Sequence, residues 1–344
     1  MFIAIALIAF GLLIAFHELG HMWVAKRMGM RVDRFSIGFG PSLFSWRRGE
    51  TEYVLSALPL GGYVKIAGMS PEDEIDPDDT ASYANKPAWK RLLVIAAGPF
   101  ANYLIAFVLG IGLLMSSNRE YDFHSTKIGA IDAGMPAEKA GLRIGDTIDS
   151  VGGTVVTEWA PMRAAIAAAA KANAEAPIPV GITRGTEKLT LQVVAKDGVF
   201  GIAPTERSIP PESFPSAVVD SAHNAYAQSA LTATTIYSWI VGSQKVTLSG
   251  PIGIVDFTAK QAKKGLSSFL ETVWSISISI GFFNLLPIPA LDGGRVTLLM
   301  YELVARRRVN RRVEDIALVV GIIALIGLMV FASYGDIMAR IRPG

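Results

Sequence analysis

A membrane protein built from spanning α-helices, with an aqueous segment inserted between them, is the class this sequence predicts, and three observations predict it. Of 344 residues, 51% are hydrophobic and 18% charged, with a mean hydropathy of +0.39. That is too apolar for an ordinary soluble chain and too charged for one lying wholly in lipid. Four stretches reach the length of about 20 apolar residues that a bilayer requires. Basic residues gather in the short connections between those stretches, as they do in cytoplasmic loops. The formal net charge of +2 gives no reason to expect nucleic acid. There is no cysteine, so disulfides and thiolate metal sites are excluded and any metal must be held by nitrogen and oxygen.

The first span begins at Met1 and runs through FIAIALIAFGLLIAF. It has neither the basic leader nor the cleavage site of a secretory signal, and its first positive charges, Lys26 and Arg27, follow it. It therefore reads as an uncleaved helix with its N-terminus outside. Residues 92–115, 269–291 and 316–332 supply the other three spans. Lys26, Arg27, Arg31, Arg34, Arg47 and Arg48 lie between the first two, with Lys90 and Arg91 at the next entry; Arg306, Arg307, Arg308, Arg311 and Arg312 lie between the last two. Both loops are thus expected in the cytoplasm, with both termini and the long central segment outside. Arg340 and Arg342 run against this rule and are outweighed. The expected organisation is residues 1–116 with two spans, an extracytoplasmic domain at 117–209, an extracytoplasmic amphipathic helical segment at 210–265, and the last two spans at 266–344.

Within the first loop, YVLSALPLGGYVKIAGM (Tyr53 to Met69) is apolar and β-favouring around Gly61 and Gly62. It reads as a hairpin on the cytoplasmic side, too short to span as a helix. The acidic run from Ser70 to Asp79 reads as a solvated loop. In the central segment, GAIDAGMPAEKAGLRIGDTIDSVGGTVV (Gly129 to Val156) gives a strand, a short helix opened by Pro136, a break at Gly141 and a second strand from Asp146. The AGLRIGD stretch with this flanking resembles the PDZ domains attached to bacterial proteases. A helix over 159–171 and strands over 178–183 and 189–194 would complete one such α/β domain near Pro204, with a groove able to take an extended peptide as an added strand. Beyond Pro210 and Pro211, Val218, Ala222, Ala225, Ser229, Thr232, Ile236 and Trp239 recur at helical spacing. Such a helix would lie on the outer membrane face or in the core of the outer domain.

The chemistry is written in the first span. His17, Glu18 and His21 interrupt an otherwise apolar run, and ionisable groups inside a membrane are costly and by default functional. Residues four apart share a helix face, so both imidazoles can address one ion with Glu18 alongside. H-E-x-x-H is the zinc-hydrolase pattern of two ligands and a general base. A catalytic zinc takes three protein ligands and an open position. His124 and His223 fall in the outer segment, across the membrane from the end of the first span. Asp292, in FFNLLPIPALDGGR, sits at the cytoplasmic end of the third span beside helix-breaking Pro287 and Pro289 and flexible Gly293 and Gly294. It is the expected third ligand.

HELGH in the first span, AAGPFAN (Ala96 to Asn102) in the second, the PDZ-like insert and NLLPIPALDGG (Asn284 to Gly294) in the third together resemble the site-2 protease family of intramembrane zinc metalloproteases, in its bacterial RseP type. The resemblance covers nearly the whole chain in order, with one PDZ-like domain where that type has two in tandem. It implies a zinc endopeptidase of the inner membrane with its active site near the cytoplasmic face. It also implies a hairpin that re-enters the membrane beside that site, and substrate contacts from Asn284, Pro287, Pro289, Gly61, Gly62, Tyr63 and Asn102. The implied substrates are single-pass membrane proteins, such as an anti-sigma factor already cut once outside, and signal-peptide remnants. Two other classes share some features. An ion-coupled transporter would use the same buried groups as a proton or metal path but calls for paired hydrophobic repeats, which four unequal spans do not show. A non-catalytic scaffold presenting a PDZ domain would have no need of the intact His17, Glu18, His21 and Asp292.

Overall fold

The computed structural model describes all residues except 71–72, 75, 117, 173–175, 197, 243–249 and 342–344, so Arg342 and parts of the acidic loop lie outside the described residues. In chain order the elements begin with α1 (Phe2–Arg27), β1 (Val32–Arg48), β2 (Thr51–Ile66) and α2 (Ala88–Leu114). Then come β3 (Asn118–Tyr121), β4 (Ile128–Ile131), α3 (Pro136–Lys139), β5 (Thr147–Val151), β6 (Thr154–Val155), α4 (Trp159–Ala172), β7 (Ile178–Arg184), β8 (Glu187–Val193), β9 (Ile202–Pro204) and β10 (Glu206–Ile209). The chain closes with α5 (Phe214–Ile240), α6 (Pro251–Lys264), α7 (Leu266–Leu285), α8 (Asp292–Ala305) and α9 (Arg311–Ile341). They form two units, a helical one of residues 1–115 and 212–344 and an inserted one of residues 116–211.

Among the described residues, four helices of the helical unit are long and apolar enough to cross a membrane: α1, α2, α7 and the Arg312–Met338 part of α9. The third ends at Leu285, short of the expected 291, because prolines follow: Leu286 is already extended ahead of Pro287, which offers no amide to continue the ladder. After the turn the chain re-enters a helix, α8, that hydropathy alone does not mark. α8 is tied to the start of α2 by Arg91, whose Nη2 donates to Glu302 Oε1 at 2.6 Å in a largely buried pair. α5 packs against α2 and α7 and belongs to this unit, not to the core of the insert. Ser221 Oγ donates to the Phe107 carbonyl at 2.8 Å, the Tyr103 and Ser229 hydroxyls lie 3.0 Å apart, and Gln228 Nε2 donates to Ser275 Oγ at 3.3 Å. Its small residues Ala217, Ser221 and Ala225 are buried while Val219, Leu231 and Tyr237 are exposed. Small polar residues inward and large apolar ones outward is the arrangement of helices that pack in lipid.

The hairpin differs from expectation. It is twice the predicted length, with β1 as its first strand, and it turns at Gly49 and Glu50, where Arg48 pairs with Thr51. Gly61 and Gly62 do not form the turn; they lie inside β2 where that strand bears on its neighbours. A Cβ at Gly62 would stand 2.6 Å from the Ser36 carbonyl oxygen, and one at Gly61, whose φ is +131°, would stand 2.8 Å from the Phe39 ring. The glycines therefore mark close approach, the second meaning glycine has in a strand. β2 runs beside the first span: Pro59 meets Gly11, a Cβ at Gly62 would stand 3.7 Å from the Ala15 Cα, and the Val64 amide reaches Glu18. Leu43, Phe44 and Leu58 of the hairpin are exposed apolar side chains, as lipid contact requires and water disfavours.

The inserted unit has its own core. β7 alternates Ile178, Val180 and Ile182 inward at period 2, and α4 lays Trp159, Met162 and Ile166 against them at helical spacing. β6, β5, β7 and β8 form one antiparallel sheet in that order, while β4 pairs with β9 and β3 with β10. Asp146, buried at the head of β5, accepts from Arg184 Nε and Nη2, each at 2.8 Å, and from the Arg143 amide at 2.8 Å. The Arg184 guanidinium holds the Asp146 carboxyl below its ordinary value of 3.8. A carboxyl depressed by folding stabilises above its unfolded value and ceases to do so as pH falls through its folded value. Arg184→Ala should therefore speed hydrogen exchange of the β5 and β7 amides in the full-length protein roughly tenfold or more at pH 7, with the difference from wild type shrinking below about pH 4. Equal exchange at pH 7 would show that the pair does not hold the unit together.

Candidate metal centre

α1 carries His17 and His21 one turn apart, with their rings edge to face and centroids 4.8 Å apart. The two Nε2 atoms lie 3.2 Å from one another. Asp292, first residue of α8, brings Oδ2 to 2.9 Å from His17 Nε2 and 3.3 Å from His21 Nε2. These three separations match the edge of a tetrahedron with metal–ligand bonds of about 2.0–2.1 Å, which is about 3.3 Å. Oδ2 is buried and makes no well-aligned hydrogen bond despite the two nitrogens beside it. Two imidazoles and one carboxylate converging on a buried point, with no sulfur, fit zinc with a position left for water or substrate. Among the described residues this is the one three-donor cluster of His and acidic groups that geometry would let hold a metal.

The second helix shapes the centre from the other side. Gly98 faces both imidazoles: a Cβ there would fall on His21 Nε2 and stand 2.7 Å from His17 Nε2. In the turn of α2 ahead of Pro99, the Val94 carbonyl accepts from His21 Nδ1–H at 2.8 Å. That bond leaves His21 Nε2 bare, the form a metal requires. Asn102 is fully buried and its carboxamide lies 3.2 Å from His17 Nδ1, so it touches that imidazole and not an open surface.

Asp292 owes its place to the two glycines after it. A Cβ on Gly293 would strike the Leu286 carbonyl oxygen, and one on Gly294 would stand 2.5 Å from the Ile288 oxygen. The turn closes through the Leu291 amide on the Ile288 carbonyl at 2.9 Å and the Gly294 amide on the Leu291 carbonyl at 3.1 Å. Glu18 Oε2 accepts from the Val64 amide at 3.1 Å, which joins the hairpin to the centre.

Of the other residues singled out in the sequence, Gly61, Gly62 and Tyr63 lie on β2 near this bond, and Asn284 is half-buried in the last turn of α7. Pro287 and Pro289 line a cavity of about 350 Å³ whose walls include Tyr83, Arg91, Gly294 and Glu302. His124 belongs to the inserted unit. Sequence reasoning missed Gly98 and Val94; the signal for the first was a glycine before an intrahelical proline, while the second contributes only main chain.

Fold and site together define a metal-dependent hydrolase whose candidate donors sit on a helix long and apolar enough to cross a membrane and on the first residue of α8. Residues 5–328 match peptidase family M50, and the chain belongs to that family, the site-2 proteases. A Clostridium perfringens protein carrying a provisional zinc metalloprotease name is 33% identical, covering 98% of this chain and 99% of its own. The regulator of sigma-W protease RasP of Bacillus subtilis is 29% identical over 96% of this chain and 97% of its own. The metalloprotease MmpA of Caulobacter vibrioides is 29% identical over 96% and 94%. Among solved structures, the HtrA3 PDZ domain with a phage-derived ligand aligns to 27% of this chain and 92% of its own at 17% identity and a TM-score of 0.15.

Gly98→Ala should abolish metal binding, because its methyl group takes the space the two Nε2 atoms share. Metal content of the purified variant is the check: less than about a tenth of the wild-type zinc is expected, and wild-type content would show that the donors meet elsewhere.

Proposed function

We propose that this chain is an intramembrane zinc metalloprotease that cuts a peptide bond inside a transmembrane segment, near the cytoplasmic face of a bacterial inner membrane. The observation that carries the reading is the meeting of His17, His21 and Asp292 beside Glu18, on elements flanked by helices long and apolar enough to cross a bilayer. In this reading the first three hold zinc and Glu18 is the general base. Bound zinc supplies Lewis acidity to the scissile carbonyl and to water. Glu18 takes the attacking water's proton on its carboxylate and delivers it to the leaving amine. The Val64 amide holds Oε2, so the carboxylate is oriented before substrate arrives.

A helical substrate shields its own carbonyls, because its amides are already bonded to one another. A β edge beside the centre offers replacement partners, which favours β2, with Gly61, Gly62 and Tyr63, as the element that receives the unwound segment. The resemblance assigns further substrate contacts to Asn284, in the last turn of α7, and to Pro287 and Pro289, which lie between α7 and Asp292 in the chain. The basic residues of the two short loops support a cytoplasmic hairpin and an extracytoplasmic insert and termini. The insert, residues 117–209 in the sequence reading, is then a PDZ-like filter that takes no part in the chemistry. The resemblance, together with a relative named for regulating sigma-W, favours regulated proteolysis of a single-pass protein such as an anti-sigma factor after a first extracytoplasmic cut. Signal-peptide remnants are a second substrate class.

Glu18→Gln should lower cleavage of a model transmembrane peptide at least about 100-fold while zinc stays bound, since the amide keeps size and loses basicity. Brisk proteolysis by the metal-loaded variant would remove Glu18 from the base role. Asp292→Ala should lose zinc and activity together; near-stoichiometric zinc in that variant would mean another third ligand. Replacing residues 128–204 by a flexible linker should spare hydrolysis of a trimmed substrate and permit cleavage of an untrimmed one. Unchanged discrimination by the folded deletion would locate selection in the spans or the hairpin.

A further inference from the structure

Resting on the zinc reading above, we infer that Asn102 is a positioning residue whose side-chain oxygen accepts the Nδ1 proton of His17 and thereby fixes that imidazole as a ligand. A neutral imidazole has one N–H, and coordination through Nε2 requires that proton on Nδ1, facing an acceptor. His21 meets the requirement with the Val94 carbonyl oxygen. The group opposite His17 Nδ1 is the Asn102 carboxamide, 3.2 Å away and wholly buried.

The two ends of a carboxamide are nearly the same in size and are distinguished only by their hydrogen bonds. With Nδ2 toward His17, the amide donates to Nδ1, the ring proton is driven to Nε2, and the ligand atom is blocked. Oδ1 is then a buried acceptor with no partner. With the amide turned by 180°, that unpaired oxygen receives Nδ1–H and Nε2 is bare toward Asp292. The donor set is usable only in the second arrangement.

The backbone around Asn102 is built to hold it there. Ser277 Oγ, from α7, donates to the Asn102 carbonyl oxygen at 2.8 Å and is itself fully buried. α2 thus presents a group to each imidazole from one face, two turns apart: Val94 to His21 and Asn102 to His17. One is main chain and beyond mutation; the other is a side chain that substitution can probe. This role places Asn102 behind the ligand, not in contact with substrate.

Asn102→Asp and Asn102→Leu separate the possibilities, measured on the full-length protein in detergent by zinc competition with a chromophoric chelator. The cobalt-substituted protein's visible absorption gives a second readout. A carboxylate only accepts, so Asn102→Asp should keep zinc affinity within about threefold and keep the tetrahedral cobalt bands. Leu is of similar size without an acceptor, so Asn102→Leu should weaken zinc about 10–100-fold and alter the bands. If the Asp variant loses zinc as the Leu variant does, or if the Leu variant binds like wild type, Asn102 is not the acceptor. His17→Ala serves as the control: unchanged zinc affinity there would overturn the ligand assignment itself, a different failure from that of Asn102.

Discussion

The structure turns on one close approach: a carboxylate at the start of α8 brought within 3.3 Å of two imidazoles on α1. Neither element can achieve this alone. α1 fixes the imidazoles by helical spacing, α2 must come near enough that only glycine fits at position 98, and the chain after α7 must break and restart so that Asp292 points back. The prolines at 287 and 289 end α7, and the two glycines after Asp292 allow the next helix to begin against the carbonyls of the turn it has just left. The buried Arg91–Glu302 pair then ties α8 to the start of α2. Replacing one partner of such a pair leaves a charge without compensation, so α8 is held in place by more than packing.

The second dependence is between the hairpin and Glu18. An isolated two-stranded hairpin is marginal in water, and this one is supported along β2 by the first span. Its contacts with Gly11, Ala15 and Glu18 follow one face of α1. The strand that would receive an extended substrate is thereby bonded to the side chain that would move the proton. Binding geometry and chemistry share a single hydrogen bond, so a shift of β2 is felt at the carboxylate.

Much of this was legible in the sequence because the signals are local. HELGH sets two imidazoles on one helical face, hydropathy marks four spans, and the Pro and Gly spacing around Asp292 announces irregular backbone. The strands of the insert follow from its alternating Ile and Val. What was not legible depends on neighbours distant in sequence. β1 was hidden because its exposed face is apolar, so the alternation that marks a strand in water is blurred. Gly61 and Gly62 looked like a turn because glycine serves turns and close approaches alike, and only the presence of Ser36 and Phe39 opposite them decides. The roles of Gly98 and Asn102 arise from α2 crossing α1, which no spacing within either segment records. α5 was ambiguous for the opposite reason: its Ser221, Gln228 and Ser229 face other helices while large apolar residues are exposed, a reversal of the pattern expected at a water interface.

X-ray absorption at the zinc edge of the purified full-length protein tests the central claim most directly, since it counts the atoms around the ion without reference to activity. Two imidazoles per zinc, with the remaining ligands oxygen at about 2.0–2.1 Å, are what the meeting of His17, His21 and Asp292 requires. A shell with fewer than two imidazoles, or with six oxygen ligands and none, would contradict it.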